Sequence, residues 1–379
     1  MKFQSKLPNV GTTIFTLMSA LAKQNNAINL SQGFPDFESD PILIKEVNDA
    51  MENGFNQYAP MAGDIGLRVE ISKKFNTLYN STYNPDTEIT VTAGATQGIF
   101  TVISAFIKPS DEVIIFTPAY DSYQPSIEVN GGKTVPIQMQ HNGTIDWDEV
   151  ENSITDKTRM MLINTPHNPT GTILKKQDLL NLEQLALKHD FLVLSDEVYE
   201  HIIFDQSEHQ SVCRFPQLKE RSFIVASFGK TFHNTGWKVG YCCAPKHLMS
   251  EFRKVHQFNV FSVNHPMQVG LANYMKNPYT YLNISKFYQR KRDLFLELMK
   301  DSNFVFKPSE GTYFQVVDYS KITGKPDVEF AKELTTKYGV AAIPLSVFNK
   351  NKEDLKQLRF CFAKKEETLI KATEILNRI

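Results

Sequence analysis

The most informative absences in this chain of 379 residues concern cysteine and metal-ligand motifs. It contains four cysteines, of which Cys242 and Cys243 are adjacent, and none belongs to a C-x-x-C pair. This spacing predicts neither a disulfide framework nor a zinc site, and it favours free thiols in a reducing cytoplasm. The nine histidines show no ligand spacing such as H-E-x-x-H, so we expect no catalytic metal.

Charge and hydropathy argue against several other classes of protein. A formal net charge of −1 creates no overall field that attracts nucleic acid or a membrane surface. The chain has no run of about 18 apolar residues, so no transmembrane helix is expected. Residues 1–10 lack the apolar core of a signal peptide. With 41% hydrophobic and 22% charged residues, the composition favours a cytoplasmic globular protein that binds neither nucleic acid nor membrane.

The order of the predicted elements indicates an α/β fold. From about residue 88, short apolar strands alternate with helices along the chain. Strands are predicted at residues 89–92, 112–116, 133–137, 159–164, 191–194, 223–226 and 239–244, and helices at 96–107, 122–130 and 175–189. Such an alternation of strongly apolar strands with helices predicts a three-layer structure, in which helices cover both faces of a mostly parallel sheet.

The length of the chain favours two domains. We predict a large domain at residues 41–275, which contains the sheet. Residues 1–40 and 276–379 are predicted to form an N-terminal segment and a smaller α+β domain. Within the smaller domain, one long helix is predicted near 276–299, and strands are predicted near 313–317 and 358–362.

Lys230 is a candidate nucleophile because it lies just beyond a predicted strand. Ligands of α/β sheets bind at the carboxyl ends of the strands. A partly buried lysine there can lose its proton and attack a carbonyl carbon to form a Schiff base. Most lysines are solvated surface charges, so the case for Lys230 depends on the residues around it.

Two turns could present a ligand with backbone or amide groups. Residues 92–97 turn from a strand into a helix through Gly94, Ala95 and Thr96, and small side chains let an anion approach the helix N-terminus. Residues 164–171 contain two prolines and a glycine, and they either form a structural turn or present the amide of Asn168 to a ligand. A cis peptide bond before Pro169 is compatible with this sequence.

Two charged residues lie at the ends of apolar strands. Asp196 follows the strand 191–194, and a partly buried carboxylate there needs a partner such as a protonated heterocyclic nitrogen. Tyr199, three residues later, can turn its phenol towards the same place. Arg359 lies in an apolar strand and can bind a carboxylate at two points, although an ion pair at the edge of the core is the alternative.

These candidates together suit one kind of ligand. The chain has neither G-x-G-x-x-G nor G-x-x-x-x-G-K-[ST], which argues against a dinucleotide or a nucleoside triphosphate. A strand-end lysine, an anion-binding turn, a carboxylate, an amide, a phenol and an arginine are what is needed to hold pyridoxal phosphate and an amino acid.

The chain resembles the fold-type I, class I/II aminotransferases of the pyridoxal-phosphate family over essentially its whole length. It looks most similar to the branch with methionine aminotransferases and kynurenine/glutamine transaminases. The segments that carry the resemblance are residues 29–35, 56–58, 168–171, 196–199, 227–238 and 359–362. Several motifs in the family's order are far more specific than any one of them.

The resemblance implies roles for the individual residues around pyridoxal 5'-phosphate. Lys230 holds the cofactor covalently and carries the proton, and Asp196 pairs with the ring nitrogen. Tyr199 and Asn168 hydrogen-bond to the phenolic oxygen of the ring, and Tyr120 stacks on its face. The implied phosphate ligands are Gly94, Ala95, Thr96, Ser227, Lys238 and, from the neighbouring subunit of a homodimer with shared active sites, Tyr58. Many relatives carry arginine where this chain has Lys238, so we expect a single-point phosphate contact there.

The resemblance further implies ping-pong transamination between an L-amino acid and a 2-oxo acid. Arg359, with Gly33, Phe34 and Asn168, is expected to bind the substrate. Aromatic residues beside the motifs, such as Phe15 and Tyr123, favour an apolar, thioether or aromatic side chain, with methionine preferred to aspartate.

Three different functions compete with this one. The first is that of a kynurenine/glutamine transaminase with cysteine-S-conjugate β-lyase activity. An inactive cofactor-fold module of a regulator and an α/β binding protein without a cofactor are disfavoured, because the full set of catalytic residues is present.

Overall fold

The computed structural model describes residues 4–379. Residues 1–3, part of the predicted segment 1–40 and of the stretch without a signal-peptide core, lie outside the described residues. The strands are β1 (Ile28–Asn29), β2 (Ile89–Thr92), β3 (Glu112–Thr117), β4 (Lys133–Gln138), β5 (Thr158–Asn164), β6 (Leu192–Asp196), β7 (Ser222–Ser227), β8 (Gly240–Cys243), β9 (Phe314–Asp318), β10 (Val340–Ala341), β11 (Ile343–Pro344) and β12 (Gln357–Cys361).

The helices alternate with the strands through the first two thirds of the chain. They are α1 (Ile14–Gln24), α2 (Pro41–Glu52), α3 (Ile65–Tyr79), α4 (Ala95–Phe106), α5 (Tyr123–Val129), α6 (Trp147–Asn152), α7 (Lys176–His189), α8 (Pro216–Lys219), α9 (Phe228–Thr231), α10 (Lys246–Asn259), α11 (His265–Met275), α12 (Tyr279–Leu282), α13 (Ile284–Met299), α14 (Asp327–Glu333) and α15 (Glu366–Leu376). In the described part of the chain, every helix is too short or too polar to cross a bilayer.

The central sheet has seven strands in the order β2-β8-β7-β6-β5-β3-β4. Its neighbouring strands run parallel except β8, which is antiparallel to both β2 and β7. Alternate residues of β3 face opposite sides: Ile114 packs into one hydrophobic cluster and Val113 into another. Helices therefore cover both faces, and the predicted three-layer α/β fold with a mostly parallel sheet is confirmed.

A second group of strands and helices follows the large sheet. β9, β11 and β12 form an antiparallel sheet in the order β11-β12-β9, and β1 pairs in parallel with β10. Phe314, Phe360 and Phe295 of α13 belong to a third hydrophobic cluster there. The division into residues 41–275 and residues 1–40 plus 276–379 stays a prediction.

The single long helix predicted near 276–299 is present over most of that range, but it begins later and is interrupted once. Residues 276–278 separate α11 from α12, and Asn283 separates α12 from α13. Pro278 explains the first break, because proline has no N–H to donate and disfavours a helical conformation at the preceding residue.

Candidate active site

The site lies where the carboxyl ends of three central strands meet the start of α4. Asn164 at the end of β5 is in register with Asp196 at the end of β6, and Ser227 ends β7 beside them. A cavity of about 150 Å³ opens at this edge. Among its lining residues are the predicted Gly94, Ala95, Thr96, Tyr120, Asn168, Asp196, Tyr199, Ser227, Lys230 and Lys238. The tertiary structure thus brings most of the predicted residues together.

One end of the cavity is suited to an anion. The α4 helix begins at Ala95, so its free backbone N–H groups and its positive dipole end face this region. Gly94 has φ +77°, and a Cβ atom there would lie 3.4 Å from Nζ of Lys238. The positive φ favours glycine at this position, and the Lys238 ammonium beside it adds a positive charge to the helix terminus.

The opposite side of the cavity carries the buried carboxylate of Asp196. Its Oδ2 accepts a hydrogen bond of 2.6 Å from the Tyr123 hydroxyl, and its Oδ1 accepts one of 3.3 Å from the Val198 N–H. Burial raises the pKa of Asp196 to about 6, while the hydrogen bond from Tyr123 acts in the other direction. A cation placed against Asp196 would favour the charged carboxylate, so the site is suited to a protonated nitrogen.

The loop that follows β5 connects this carboxylate to Arg359. The Asn164 side chain donates to the Asp196 carbonyl at 2.9 Å and accepts from the Asn168 N–H at 2.8 Å. Asn168 Oδ1 in turn accepts from Nη1 of Arg359 at 2.7 Å. The peptide bond between Asn168 and Pro169 is cis, as the sequence allows.

Arg359 lies in β12 and is buried between aromatic rings. Its Nη2 donates to the Ser31 carbonyl at 3.1 Å, and its guanidinium carbon lies 3.8 Å from the ring centre of Phe314 and 5.2 Å from that of Phe15. Nε of Arg359 has no hydrogen-bond partner among the described residues. The side chain does not line the cavity itself, but Asn168 links the two directly, which suits Arg359 to a carboxylate presented beside the cavity.

Lys230 lies in the short helix α9, directly after β7. Its Nζ donates to the Tyr313 hydroxyl at 2.9 Å and to the Gly33 carbonyl at 3.3 Å. Burial lowers the pKa of Lys230 to about 8, and the positive charge of Arg359 acts in the same direction. A large fraction of the amine is therefore neutral near pH 8, which a nucleophile or a general base requires.

Two predicted residues lie apart from the cavity. Phe34 is 46% exposed, and its ring lies 5.1 Å from Nζ of Lys364. Tyr58 is 80% exposed and packs edge-on against Phe261, with 5.4 Å between ring centres. The roles predicted for these two residues stay predictions, as do those of the other site residues. Gly33 reaches the site through its backbone carbonyl.

Sequence reasoning missed two tyrosines of the site. Tyr123 was predicted among the aromatic residues of a substrate pocket, whereas its hydroxyl bonds to Asp196. Tyr313, at the start of a predicted strand, received no role, although it contacts Lys230. Its only signal is the preceding Gly311-Thr312 pair, which indicates a tight turn. Among residues 4–379, no cluster of three or more histidine, cysteine, aspartate or glutamate side chains could hold a metal ion.

Comparison with known proteins identifies relatives along the whole chain. The family model for aminotransferase class I and II matches residues 25–376. Methionine aminotransferase of Escherichia coli (strain K12) is 49% identical over 379 residues, which cover 99% of this chain and 98% of that protein. Kynurenine–oxoglutarate transaminase 3 of Mus musculus is 32% identical over 99% of this chain and 90% of its own length.

A solved structure agrees with these relatives. The crystal structure of YbdL from Escherichia coli, described as having a methionine aminotransferase function, superposes with a TM-score of 0.98. It is 48% identical, and the match covers 100% of both chains. The resemblance described from the motifs is thereby confirmed. The chain belongs to the class I and II aminotransferases, which are pyridoxal-phosphate-dependent enzymes that act on amino acids and 2-oxo acids.

Proposed function

We propose that this enzyme transfers the amino group of methionine, and of other apolar, thioether or aromatic L-amino acids, to a 2-oxo acid by a ping-pong reaction. The observation that carries the proposal is the 49% identity with Escherichia coli methionine aminotransferase over 99% of this chain. The aromatic surroundings of Arg359 support the same class of substrate.

The chemistry of the cavity fits pyridoxal 5'-phosphate. The N-terminus of α4, Ser227 and Lys238 supply donors and positive charge for a phosphate. Asp196 supplies the buried carboxylate for a protonated ring nitrogen, and Tyr199, Asn168 and Tyr120 are the proposed ligands of the rest of the ring. When bound, the cofactor supplies an electron sink for the bonds of the substrate's α-carbon.

Lys230 has two tasks in this proposal. It holds the cofactor covalently until an amino acid displaces it. Its freed Nζ then takes the proton from the substrate's α-carbon and passes it to the cofactor carbon that carries the amino group. A pKa of about 8 suits both directions, because a general acid–base catalyst works best when its pKa lies near the working pH.

Arg359 is the proposed ligand of the substrate's α-carboxylate, with Asn168 and the Gly33–Phe34 segment beside it. The rings of Phe15 and Phe348 lie 5.5 Å apart, and Phe15 faces the guanidinium of Arg359. A substrate whose carboxylate meets Arg359 therefore extends its side chain near aromatic surface. Burial there favours a thioether or a ring over a second carboxylate, which would lose its hydration.

A homodimer with shared active sites is part of the proposal. Tyr58 and Phe261, whose ring centres lie 5.4 Å apart, are 80% and 48% exposed, which is unusual for large aromatic side chains. Neighbouring exposed aromatic residues often mark a protein interface. We further propose a reducing, cytoplasmic location, which the four free cysteines support because all of them are buried as thiols.

The test of the substrate proposal is a panel of amino acids given to the purified enzyme with pyridoxal phosphate. The rate of the absorbance change is measured for methionine, phenylalanine, histidine, glutamine, kynurenine and aspartate. We expect methionine to have the highest kcat/KM and aspartate to fall at least about 100-fold below it, a gap of about 2.7 kcal/mol. Equal or faster conversion of aspartate would contradict the proposal.

A kynurenine/glutamine transaminase with cysteine-S-conjugate β-lyase activity is the second candidate. The observation that favours it is the 32% identity with mouse kynurenine–oxoglutarate transaminase 3. Release of pyruvate from a cysteine S-conjugate, without an added oxo acid, would identify the lyase activity. A kcat/KM for kynurenine or glutamine above that for methionine would identify the transaminase.

A further inference from the structure

Tyr313 contacts the reactive amine of Lys230, and its hydrogen bonds have a defined direction. The Tyr313 hydroxyl lies 2.6 Å from the Gly33 carbonyl oxygen and 2.9 Å from Nζ of Lys230. A carbonyl oxygen can only accept, so the single proton of the hydroxyl points to Gly33. A lone pair of the same oxygen is then left to accept an N–H of Lys230.

The turn that carries Tyr313 is held firmly in place. The N–H of Thr312 donates to the Ile202 carbonyl at 2.9 Å, and the N–H of Gly311 donates to the Gly171 carbonyl at 2.9 Å. Thr312 has φ +64°, which is costly for a β-branched residue and persists only where the surrounding structure enforces it. Gly311 is also confined, because a Cβ atom there would lie 2.7 Å from Cβ of Pro166.

Close packing also fixes the positions of the Tyr313 ring and of Gly33, whose carbonyl is the second acceptor for Lys230. Tyr313 is fully buried, and its ring packs edge-on against Tyr199 with 5.2 Å between ring centres. Gly33 packs closely against Phe314, the residue that follows Tyr313: a Cβ atom on Gly33 would lie 2.7 Å from Cζ of Phe314. The hydroxyl and the carbonyl therefore form a pair of fixed acceptors for one amine.

We propose that Tyr313 is a further catalytic residue of the transamination, whose hydroxyl and the Gly33 carbonyl together hold the Lys230 ammonium while it carries the substrate's proton. The lone pair of Nζ takes that proton as the C–H bond of the α-carbon breaks. The resulting ammonium donates N–H bonds to Tyr313 and Gly33. In the second transfer Nζ gives the same proton to the cofactor carbon that carries the amino group, and the amine is neutral again. Tyr313 keeps its own proton throughout, because burial raises the pKa of its phenol well above 10.

The charges that face Lys230 have opposing effects on its proton. Arg359 and Lys238 lower the pKa of Lys230, whereas Asp196 raises it; Cys361, which also faces it, is a neutral thiol because burial raises its pKa. The ring of Tyr199 lies 5.7 Å from Nζ. An ammonium is a stronger hydrogen-bond donor than a neutral amine, so an acceptor beside Nζ favours the charged form. Removal of the Tyr313 hydroxyl should therefore make the ammonium less stable without changing any of these charges.

The variant Tyr313→Phe tests this role, with Tyr288→Phe as the matched control. Tyr288 is buried beside Tyr313, 5.6 Å between ring centres, but its hydroxyl bonds to His233 and not to Lys230. For Tyr313→Phe we expect kcat with methionine to fall about 10-fold or more and KM to change less than about 3-fold. Tyr288→Phe should stay near the wild type in both parameters.

A second measurement separates the protonation of Lys230 from turnover. The holoenzyme is held in its amino form by excess methionine without an oxo acid, and acetylation of Lys230 by acetic anhydride is followed across pH by mass spectrometry. In Tyr313→Phe the midpoint of labelling should fall by about one pH unit, because the ammonium loses an acceptor. An unchanged midpoint in a variant that still binds the cofactor would overturn the proposal, as would equal shifts in Tyr288→Phe.

If Tyr313→Phe does not fold, a replacement that changes the side chain less provides the same test. Tyr313 is replaced by 3,5-difluorotyrosine, which keeps the ring and the hydroxyl but makes the oxygen a weaker acceptor. The labelling midpoint should then fall by a fraction of a pH unit in the same direction. A midpoint equal to that of the wild type would reject the role of Tyr313.

Discussion

Lys74 and Lys230 are two buried lysines with opposite surroundings. The side chain of Lys74 is 2% exposed and forms an ion pair with Glu200, whose carboxylate also accepts from Tyr79 at 2.5 Å and Tyr241 at 2.6 Å. Lys230 has no carboxylate within hydrogen-bond distance, and its Nζ donates to a hydroxyl and a backbone carbonyl. The first lysine is paired with a carboxylate, whereas the second, whose pKa burial lowers to about 8, can give up its proton.

The two carboxylates near these lysines differ in the same way. Lys74 and its other partners hold the pKa of Glu200 well below its usual range despite burial. Asp196 has a tyrosine hydroxyl and a backbone N–H as its donors, and burial raises its pKa to about 6. The charge of Glu200 is thus balanced by a cation of the protein, whereas Asp196 can still pair with a cationic group of a ligand. A buried charge that the fold has already paired stabilises the structure, and one without a partner is available for chemistry.

The largest expected effect is the loss of turnover in Lys230→Ala. No other side chain can replace both the covalent attachment and the proton transfer, so we expect kcat to fall by about 10⁴-fold or more. The rate of the absorbance change with methionine and the borohydride-trapped cofactor adduct are the measurements. Lys74→Met is the matched variant and should keep kcat per folded molecule within about 5-fold, a difference of about 1 kcal/mol in activation free energy. Unchanged turnover in Lys230→Ala would contradict the contrast between the two lysines.

Replacement of Lys74 should lower the stability of the protein, although it has little effect on turnover. Lys74→Met leaves the buried carboxylate of Glu200 without its cation, which should lower the free energy of unfolding by about 3–5 kcal/mol. Urea denaturation followed by circular dichroism measures the loss. The double variant Lys74→Met/Glu200→Gln should recover part of it, because no buried charge is then left alone. A loss below about 1 kcal/mol would place this pair with ordinary surface ion pairs.

The two carboxylates can be compared through Asp196→Asn and Glu200→Gln. A neutral amide cannot balance a protonated ring nitrogen, so kcat of Asp196→Asn should fall by about 10²-fold or more. Glu200→Gln should lose stability and keep most of its kcat, since Glu200 does not line the cavity of the site. Stopped-flow measurement of the first half-reaction with methionine tests both. Equal losses of kcat would mean that the Lys74 network also orients the site.

A further expected effect is a pH dependence of stability in the cofactor-free enzyme. Lys230 has a pKa of about 8 in the folded chain, lowered from 10.5, so between these values the unfolded chain binds more protons than the folded one. The stability of the wild type relative to Lys230→Met should therefore rise from pH 8 to about 10.5 and be lowest below pH 8. Denaturant unfolding of both cofactor-free proteins at pH 7, 8, 9 and 10 measures this difference. A difference independent of pH would mean that burial does not depress the pKa of Lys230.

Local patterns predicted most of the large sheet and much of the site. Short apolar runs located the strands, and polar residues directly after them located Asp196 and Lys230, because parallel strands bring their carboxyl ends to one edge. The break between α12 and α13 left no such trace. The Lys74–Glu200 pair was equally hidden, because the two residues are 126 positions apart and neither belongs to a motif.

The sequence by itself determined the fold class, the family and most of the residues that carry the proposed chemistry, because these depend on periodicity and on motifs in a fixed order. Only the tertiary structure decided what surrounds each of them. The fold pairs Lys74 with a carboxylate and places the Tyr123 hydroxyl within hydrogen-bond distance of Asp196. It also places Tyr313 beside Lys230, although the two are 83 positions apart in the sequence. The pKa of a buried group depends on its neighbours in space, so the difference between a structural lysine and a reactive one is decided by packing and not by the local sequence.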